Sequence, residues 1–64
     1  MSRIKEFRER SNLTQEGLAK ELGVTQSAVT KWETGAAMPR LGMMIKMSSI
    51  FGCTIDELLG TSAG

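Results

Sequence analysis

The stretch that decides the fold reads Leu13-Thr14-Gln15-Glu16-Gly17-Leu18-Ala19-Lys20-Glu21-Leu22-Gly23-Val24-Thr25-Gln26-Ser27-Ala28-Val29-Thr30-Lys31-Trp32-Glu33-Thr34-Gly35. Twice in it an apolar residue precedes a threonine, and another apolar residue follows four positions on: Leu13-Thr14 with Leu18, then Val24-Thr25 with Val29. A threonine oxygen accepts a hydrogen bond from a free N–H of a first helical turn, and the flanking apolar side chains clasp across it. Each device therefore marks a helix start and the angle at which the chain enters. The first helix of the pair is expected over Gln15 to Leu22, burying Leu18, Ala19 and Leu22. The second is expected over Gln26 to about Thr34, burying Val29 and Trp32 and stopping at Gly35. Only Gly23-Val24-Thr25 separates them. With glycine free to take positive φ, so short a turn predicts a steep crossing, and Ala19 is small where the helices approach.

Working outward, Ser2 can cap a helix running through about Arg10, with Ile4 and Phe7 on its apolar side and Glu6 and Arg10 at a favourable i, i+4 spacing. Ser11-Asn12 breaks it. After the loop from Gly35 to Pro39, the pattern Leu41, Met44, Ile45, Met47, Ile50 and Phe51 predicts a fourth helix, ended by Gly52 and expected to be central to the core. Cys53-Thr54 with Leu58 repeats the threonine device and adds a capping box with Glu57, which starts a short fifth helix from Ile55 to Leu59. The expected fold class is all-α, a compact five-helix bundle containing a helix-turn-helix, with neither repeats nor strands. Residues 1–60 form its one domain, and 61–64 are read as a flexible tail, either a natural end or a linker cut short.

A chain of 64 residues, 41% of them hydrophobic and 23% charged, has a globular composition and a small core, burying only about 60% of the surface its unfolded form exposes. Cys53 is its single cysteine and it has no histidine, so it lacks an internal disulfide pair, the usual zinc ligands and any nucleophile–base constellation. The sequence calls for no cofactor and no metal and does not read as an enzyme. No apolar run approaches the roughly 20 residues of a membrane span, and Met1 to Arg10 has no signal-peptide core, so the expected location is cytoplasmic. The formal net charge of +1 says little for a polyanionic partner.

The outer face of the second helix of the pair is more informative than the charge. Gln26, Ser27, Thr30, Lys31 and Thr34 can all form hydrogen bonds, and none is acidic. A helix fits the major groove of B-DNA, where glutamine can pair with an adenine edge, lysine with guanine acceptors, and serine or threonine with either. A solvated polar face is the competing reading of the same residues.

The wider pattern separates the two. Leu13-Thr14-Gln15, Leu18-Ala19, Leu22-Gly23-Val24-Thr25-Gln26-Ser27, Val29, Lys31-Trp32-Glu33 and Gly35 resemble the Cro and phage-repressor-like, or XRE, helix-turn-helix family. Pro39, Leu41, Lys46, Gly52 and Thr54-Ile55-Asp56-Glu57-Leu58-Leu59 extend the likeness over about Ile4 to Gly60. The resemblance implies a lambda repressor-like DNA-binding fold and a sequence-specific transcriptional regulator, a repressor above all. It also implies a homodimer on a palindromic double-stranded operator. It makes Gln26, Ser27 and Lys31 base contacts and Thr30 an accessory one. Gln15 becomes a phosphate contact that also braces Gln26, a role suited to a helix N-terminus. Thr34 and Arg40 become backbone or minor-groove contacts. Arg8 and Glu33 become a structural ion pair tying the first helix to the third.

There are departures from the family pattern. Ala36-Ala37-Met38 carries no charge where basic residues are common, which reduces the expected salt-dependent affinity. Gly17 stands where glutamate is usual, removing a capping box, and Gly42 weakens the start of the fourth helix. Trp32 falls on the buried stripe and is read as core rather than as a base-stacking ring. Most of Met43, Met44 and Met47 are read as core filling rather than a partner groove, and Cys53 as a small buried hydrophobe. Arg3, Lys5, Arg10 and Lys20 fit phosphate contacts and solvated charges equally. The exposed parts of the fourth and fifth helices are the expected dimer surface. The near-neutral charge and the apolar loop leave a second function open: a protein-interaction module or antitoxin-like partner on the same scaffold.

Overall fold

Three of the five helices among the described residues begin in one way. Thr14, Thr25 and Thr54 all have extended backbone, and each hydroxyl accepts from the backbone N–H three residues on: Gly17 at 2.9 Å, Ala28 at 3.2 Å and Glu57 at 3.0 Å. At Thr54 the bond is reciprocated, since its own N–H donates to Glu57 Oε1 at 2.9 Å. The computed structural model describes residues 3–60, and the helices it contains are α1 (Ile4–Arg10), α2 (Gln15–Leu22), α3 (Gln26–Thr34), α4 (Leu41–Phe51) and α5 (Ile55–Leu59). There is no strand among the described residues. The arrangement is all-helical, with α2 and α3 joined only by Gly23-Val24-Thr25.

The turn after α2 positions everything that follows. Gly23 sits at φ 71°, and Val24 N–H closes on the Ala19 carbonyl at 2.9 Å while Gly23 N–H reaches Lys20 at 3.3 Å. This pair of bonds satisfies the last carbonyls of α2 and needs a left-handed residue, which glycine supplies without steric cost. The chain re-enters a helix two residues later, so α3 packs directly on α2.

The core is Ile4 and Phe7 from α1, Leu18, Ala19 and Leu22 from α2, Val29 and Trp32 from α3, Met47 from α4 and Leu58 from α5. Each fully buried aliphatic side chain among them contributes about 2 kcal/mol through removal from water. The ends of the domain are joined directly, because Arg3 N–H donates to the Leu58 carbonyl at 2.8 Å. Phe7 stacks against Phe51 with ring centroids 6.1 Å apart, and the guanidinium groups of Arg3 and Arg10 lie over the Phe7 ring at 5.2 and 5.5 Å.

Two expectations are corrected. The fourth helix is not the centre of the core: of its residues only Met47 is fully buried, Met43, Met44 and Phe51 pack partly, and Leu41, Ile45 and Ile50 are exposed. Its apolar residues are too numerous for one buried stripe, and α2 and α3 already fill the interior. The cap position of α1 is held by Arg3, whose side chain makes no capping bond. Ser2, expected to cap, lies outside the described residues, as does the expected tail after Gly60. Trp32 is buried as expected, while Cys53 is only half-buried at the core's edge, where desolvation raises its thiol pKa above the ordinary value.

Candidate nucleic-acid interface

The 3.6-residue period of α3 divides its side chains. Val29 and Trp32 face the core, which leaves Gln26, Ser27, Lys31 and Thr34 exposed and Thr30 half-buried at the boundary. Gln15, the first residue of α2, comes alongside the start of α3 because the short turn brings the two helices together. Its carboxamide oxygen lies 3.0 Å from Thr30 Oγ1 and 3.4 Å from Gln26 Nε2, both of which donate to it. Thr30 Oγ1 is also 3.1 Å from the Gln26 carbonyl, so its single proton is shared between two acceptors within the site.

On its other side Gln15 is anchored. Its Nε2 donates to Glu33 Oε1 at 2.9 Å, and Glu33 Oε2 accepts from Arg8 Nε at 2.6 Å. Arg8 also donates from Nη1 to the Leu13 carbonyl at 2.7 Å, tying the pair to the segment that enters α2. The Arg8 and Glu33 side chains are only 10% and 4% exposed, so the charges are largely withdrawn from water and each is matched by the other. No buried side-chain nitrogen or oxygen among the described residues lacks a partner. A continuous chain of polar contacts therefore runs from α1 through the end of α3 to the start of α2, and out to the exposed Gln26.

The remaining residues expected at the interface are arranged differently. Ser27 and Lys31 are exposed on α3 beside Gln26 and Thr30. The Thr34 hydroxyl donates to the Lys31 carbonyl at 3.3 Å, so its proton is engaged within the helix. Arg40 is exposed in the cap position of α4 and makes no capping bond, outside the Gln15 cluster. Arg3 and Arg10 pair with Glu6 on α1 at 2.8 and 3.2 Å. The bond between Gln15 and Glu33 is the feature that sequence reasoning missed. Gln15 and Glu33 each stand out in the sequence, but the bond between them spans 18 residues and depends on how closely α2 and α3 pack. Among the described residues there is no group of His, Cys, Asp or Glu able to hold a metal ion, and no helix long and apolar enough to cross a membrane.

A short turn between two capped helices, with a polar outer face on the second, defines the class: a DNA-binding domain of transcriptional regulators. The chain belongs to the helix-turn-helix family, whose pattern its residues 4–58 match, and within it to the Cro and phage-repressor-like branch. It is 42% identical over 57 residues to the HTH-type transcriptional activator BcrR of Enterococcus faecalis, a match covering 89% of this chain and 28% of that protein. It is 39% identical over 57 residues to an uncharacterized HTH-type transcriptional regulator of Archaeoglobus fulgidus, covering 89% of this chain and 80% of the relative. Among solved structures, the P22 c2 repressor in complex with a synthetic operator superposes with a TM-score of 0.84 at 28% identity, covering 94% of this chain and 91% of the chain in that structure.

Proposed function

We propose that the domain represses transcription by reading a specific double-stranded operator with α3 in the major groove. Gln26, Ser27 and Lys31 contact base edges, Thr30 assists, and Gln15, Thr34 and Arg40 contact the backbone or minor groove. The observation that carries this reading is the Gln15–Gln26–Thr30 cluster. A glutamine held at an exposed helix start, with a partner fixing it from behind, is pre-organised for a bidentate base contact. The likeness to a repressor solved with its operator supports the same assignment. No catalytic step is part of the proposal, and its setting is the cytoplasm.

The test is selection of bound duplexes from a random pool, followed by affinity measurements on the enriched site. Gln26→Ala is expected to cost about 1 to 3 kcal/mol on that site and to relax preference at one base pair per half-site. Failure to enrich any sequence over random duplex at low salt would sink the proposal.

A separate observation bears on assembly. Met38, Leu41, Ile45 and Ile50 are 70%, 63%, 53% and 37% exposed, apolar side chains on and just before α4 with the exposed Arg40 and Lys46 among them. Leu41 and Ile45, one helical turn apart, give α4 an apolar edge that association would cover, and the occupant proposed is a second copy of this chain. Two copies would then address a palindromic operator whose half-sites lie about 34 Å apart, one helical turn. Sedimentation at micromolar concentration checks this, and a monomer that co-purifies instead with a different stoichiometric protein would favour the antitoxin-like alternative.

A further inference from the structure

The polar chain behind Gln26 has a direction, and the chemistry of its members dictates it. Arg8 can only donate, and a carboxylate can only accept. Glu33 therefore takes the Arg8 Nε on Oε2 at 2.6 Å, and its Oε1, at a longer 3.4 Å from Arg8 Nη2, accepts chiefly from Gln15, 2.9 Å away. Gln15 must turn its NH2 toward Glu33, which leaves its carbonyl oxygen facing α3. That oxygen in turn draws a donor from Thr30 at 3.0 Å and the Gln26 NH2 at 3.4 Å. Gln26 consequently points nitrogen inward, and its carbonyl oxygen and remaining N–H form the edge presented to solvent.

We propose that Glu33 is a positioning residue for sequence readout: through Gln15 it fixes the order in which Gln26 offers acceptor and donor to a base pair. An unbraced carboxamide offers the two in either order and fits more than one base edge, because each base pair presents its own pattern of donors and acceptors in the major groove. A buried ion pair whose evident task is to tie α1 to α3 thus also sets the orientation of two carboxamides that would otherwise be free to turn over. The inference rests on Gln26 contacting a base, and extends that assignment to a residue that touches no DNA.

Glu33→Gln is nearly isosteric and reverses the direction. Its carbonyl oxygen goes to the donor-only Arg8, its NH2 then faces Gln15, Gln15 turns its oxygen toward position 33, and Gln26 turns with it. The experiment measures relative affinity for every single-base variant of the selected operator, using Glu33→Gln, Gln15→Met, Gln26→Ala and the Glu33→Gln/Gln26→Ala double variant. Gln15→Met removes the relay while leaving the 2.6 Å Arg8–Glu33 pair in place, so it serves where Glu33→Gln folds poorly. The expected result is a change of about fivefold or more in preference at the base pair read by Gln26, with preferences elsewhere kept, in both single variants. In the Gln26→Ala background Glu33→Gln should add nothing at that position.

Equal losses at all positions, or an unchanged preference at that base pair in Gln15→Met, would overturn the relay. If Gln26→Ala alone alters preference and the other two do not, the base contact stands and the relay falls. If Gln26→Ala changes no preference, the base contact itself fails and takes the relay with it.

Discussion

The helix pair α2–α3 and the helix pair α4–α5 are similar in size and belong to one small domain, yet they meet water in opposite ways. In the first, large apolar side chains are inside, both helices start on a threonine cap, and the polar residues at the junction satisfy one another. In the second, α4 begins without a side-chain cap and carries Leu41, Ile45 and Ile50 exposed, while only Met47 and Leu58 reach the interior fully. The difference teaches where the fold is determined and where it is unfinished. The first pair specifies itself, whereas the second supplies enough packing to close the core and leaves several apolar side chains of α4 in water.

The largest test of that contrast compares like substitutions on either side of it. Leu18→Ala removes a fully buried side chain and is expected to cost about 3 to 4 kcal/mol, which in a domain this small brings the protein close to unfolding. Ile45→Ala on α4 should change the monomer's stability by less than about 0.5 kcal/mol, because the side chain is already half in water. Urea denaturation at a concentration low enough to keep the chain monomeric measures both. A large loss from Ile45→Ala under those conditions would place α4 in the core after all.

Next in size is the ion pair. Arg8→Met leaves the Glu33 carboxylate nearly buried with its cation gone, and an uncompensated buried charge of this kind costs about 3 kcal/mol. The same substitution removes the donor to the Leu13 carbonyl, so the entry to α2 loosens with it. Replacing both partners with apolar residues should recover much of the loss, since the penalty comes from the stranded charge rather than from the missing attraction. A double-mutant cycle by thermal or urea unfolding decides this, and a double variant no better than Arg8→Met would contradict it.

The start of α4 is open to improvement. Gly42 lies in the first turn of α4, and a methyl group added there meets no atom within 4 Å. Gly42→Ala is therefore expected to raise stability by about 0.5 kcal/mol, chiefly by restricting the unfolded chain. Hydrogen exchange should report added protection in the first turns of α4 and little elsewhere.

Legibility in the sequence follows the same division. The boundaries of α2 and α3 could be read to the residue because local chemistry fixes both ends, a threonine at the start and a left-handed glycine at the stop. Their buried positions followed from the 3.6-residue period. For α4 the period was a poor guide: seven apolar residues in eleven cover more than one face, and nothing in the local pattern tells which face the core will use. The site was legible as separate residues, Gln15, Gln26 and Thr30 on one side and Arg8 and Glu33 on the other. Their union through Gln15 and Glu33 was not, because it depends on how closely α2 and α3 approach, a tertiary distance that no spacing encodes.

The smallest effect concerns the one helix start in the second pair that is fully capped. Glu57 accepts the Thr54 backbone N–H, and that bond, followed by the Thr54 hydroxyl contact, holds its carboxyl below the ordinary glutamate range, with Arg3 adding to the same direction. A carboxyl whose pKa is lower in the folded state binds protons more weakly there than in the unfolded chain. Its contribution is therefore complete above the unfolded value of about 4.3 and is lost as pH falls through the folded one. Glu6, held down by Arg3, acts in the same direction on α1. Glu57→Gln keeps an acceptor for the Thr54 N–H but cannot titrate, so its urea midpoint should fall less between pH 5 and pH 3 than that of the parent, with the Glu6 share remaining. A carbon-13 titration locating the Glu57 carboxyl at or above the usual glutamate pKa would refute the assignment and leave α5 no better anchored than α4.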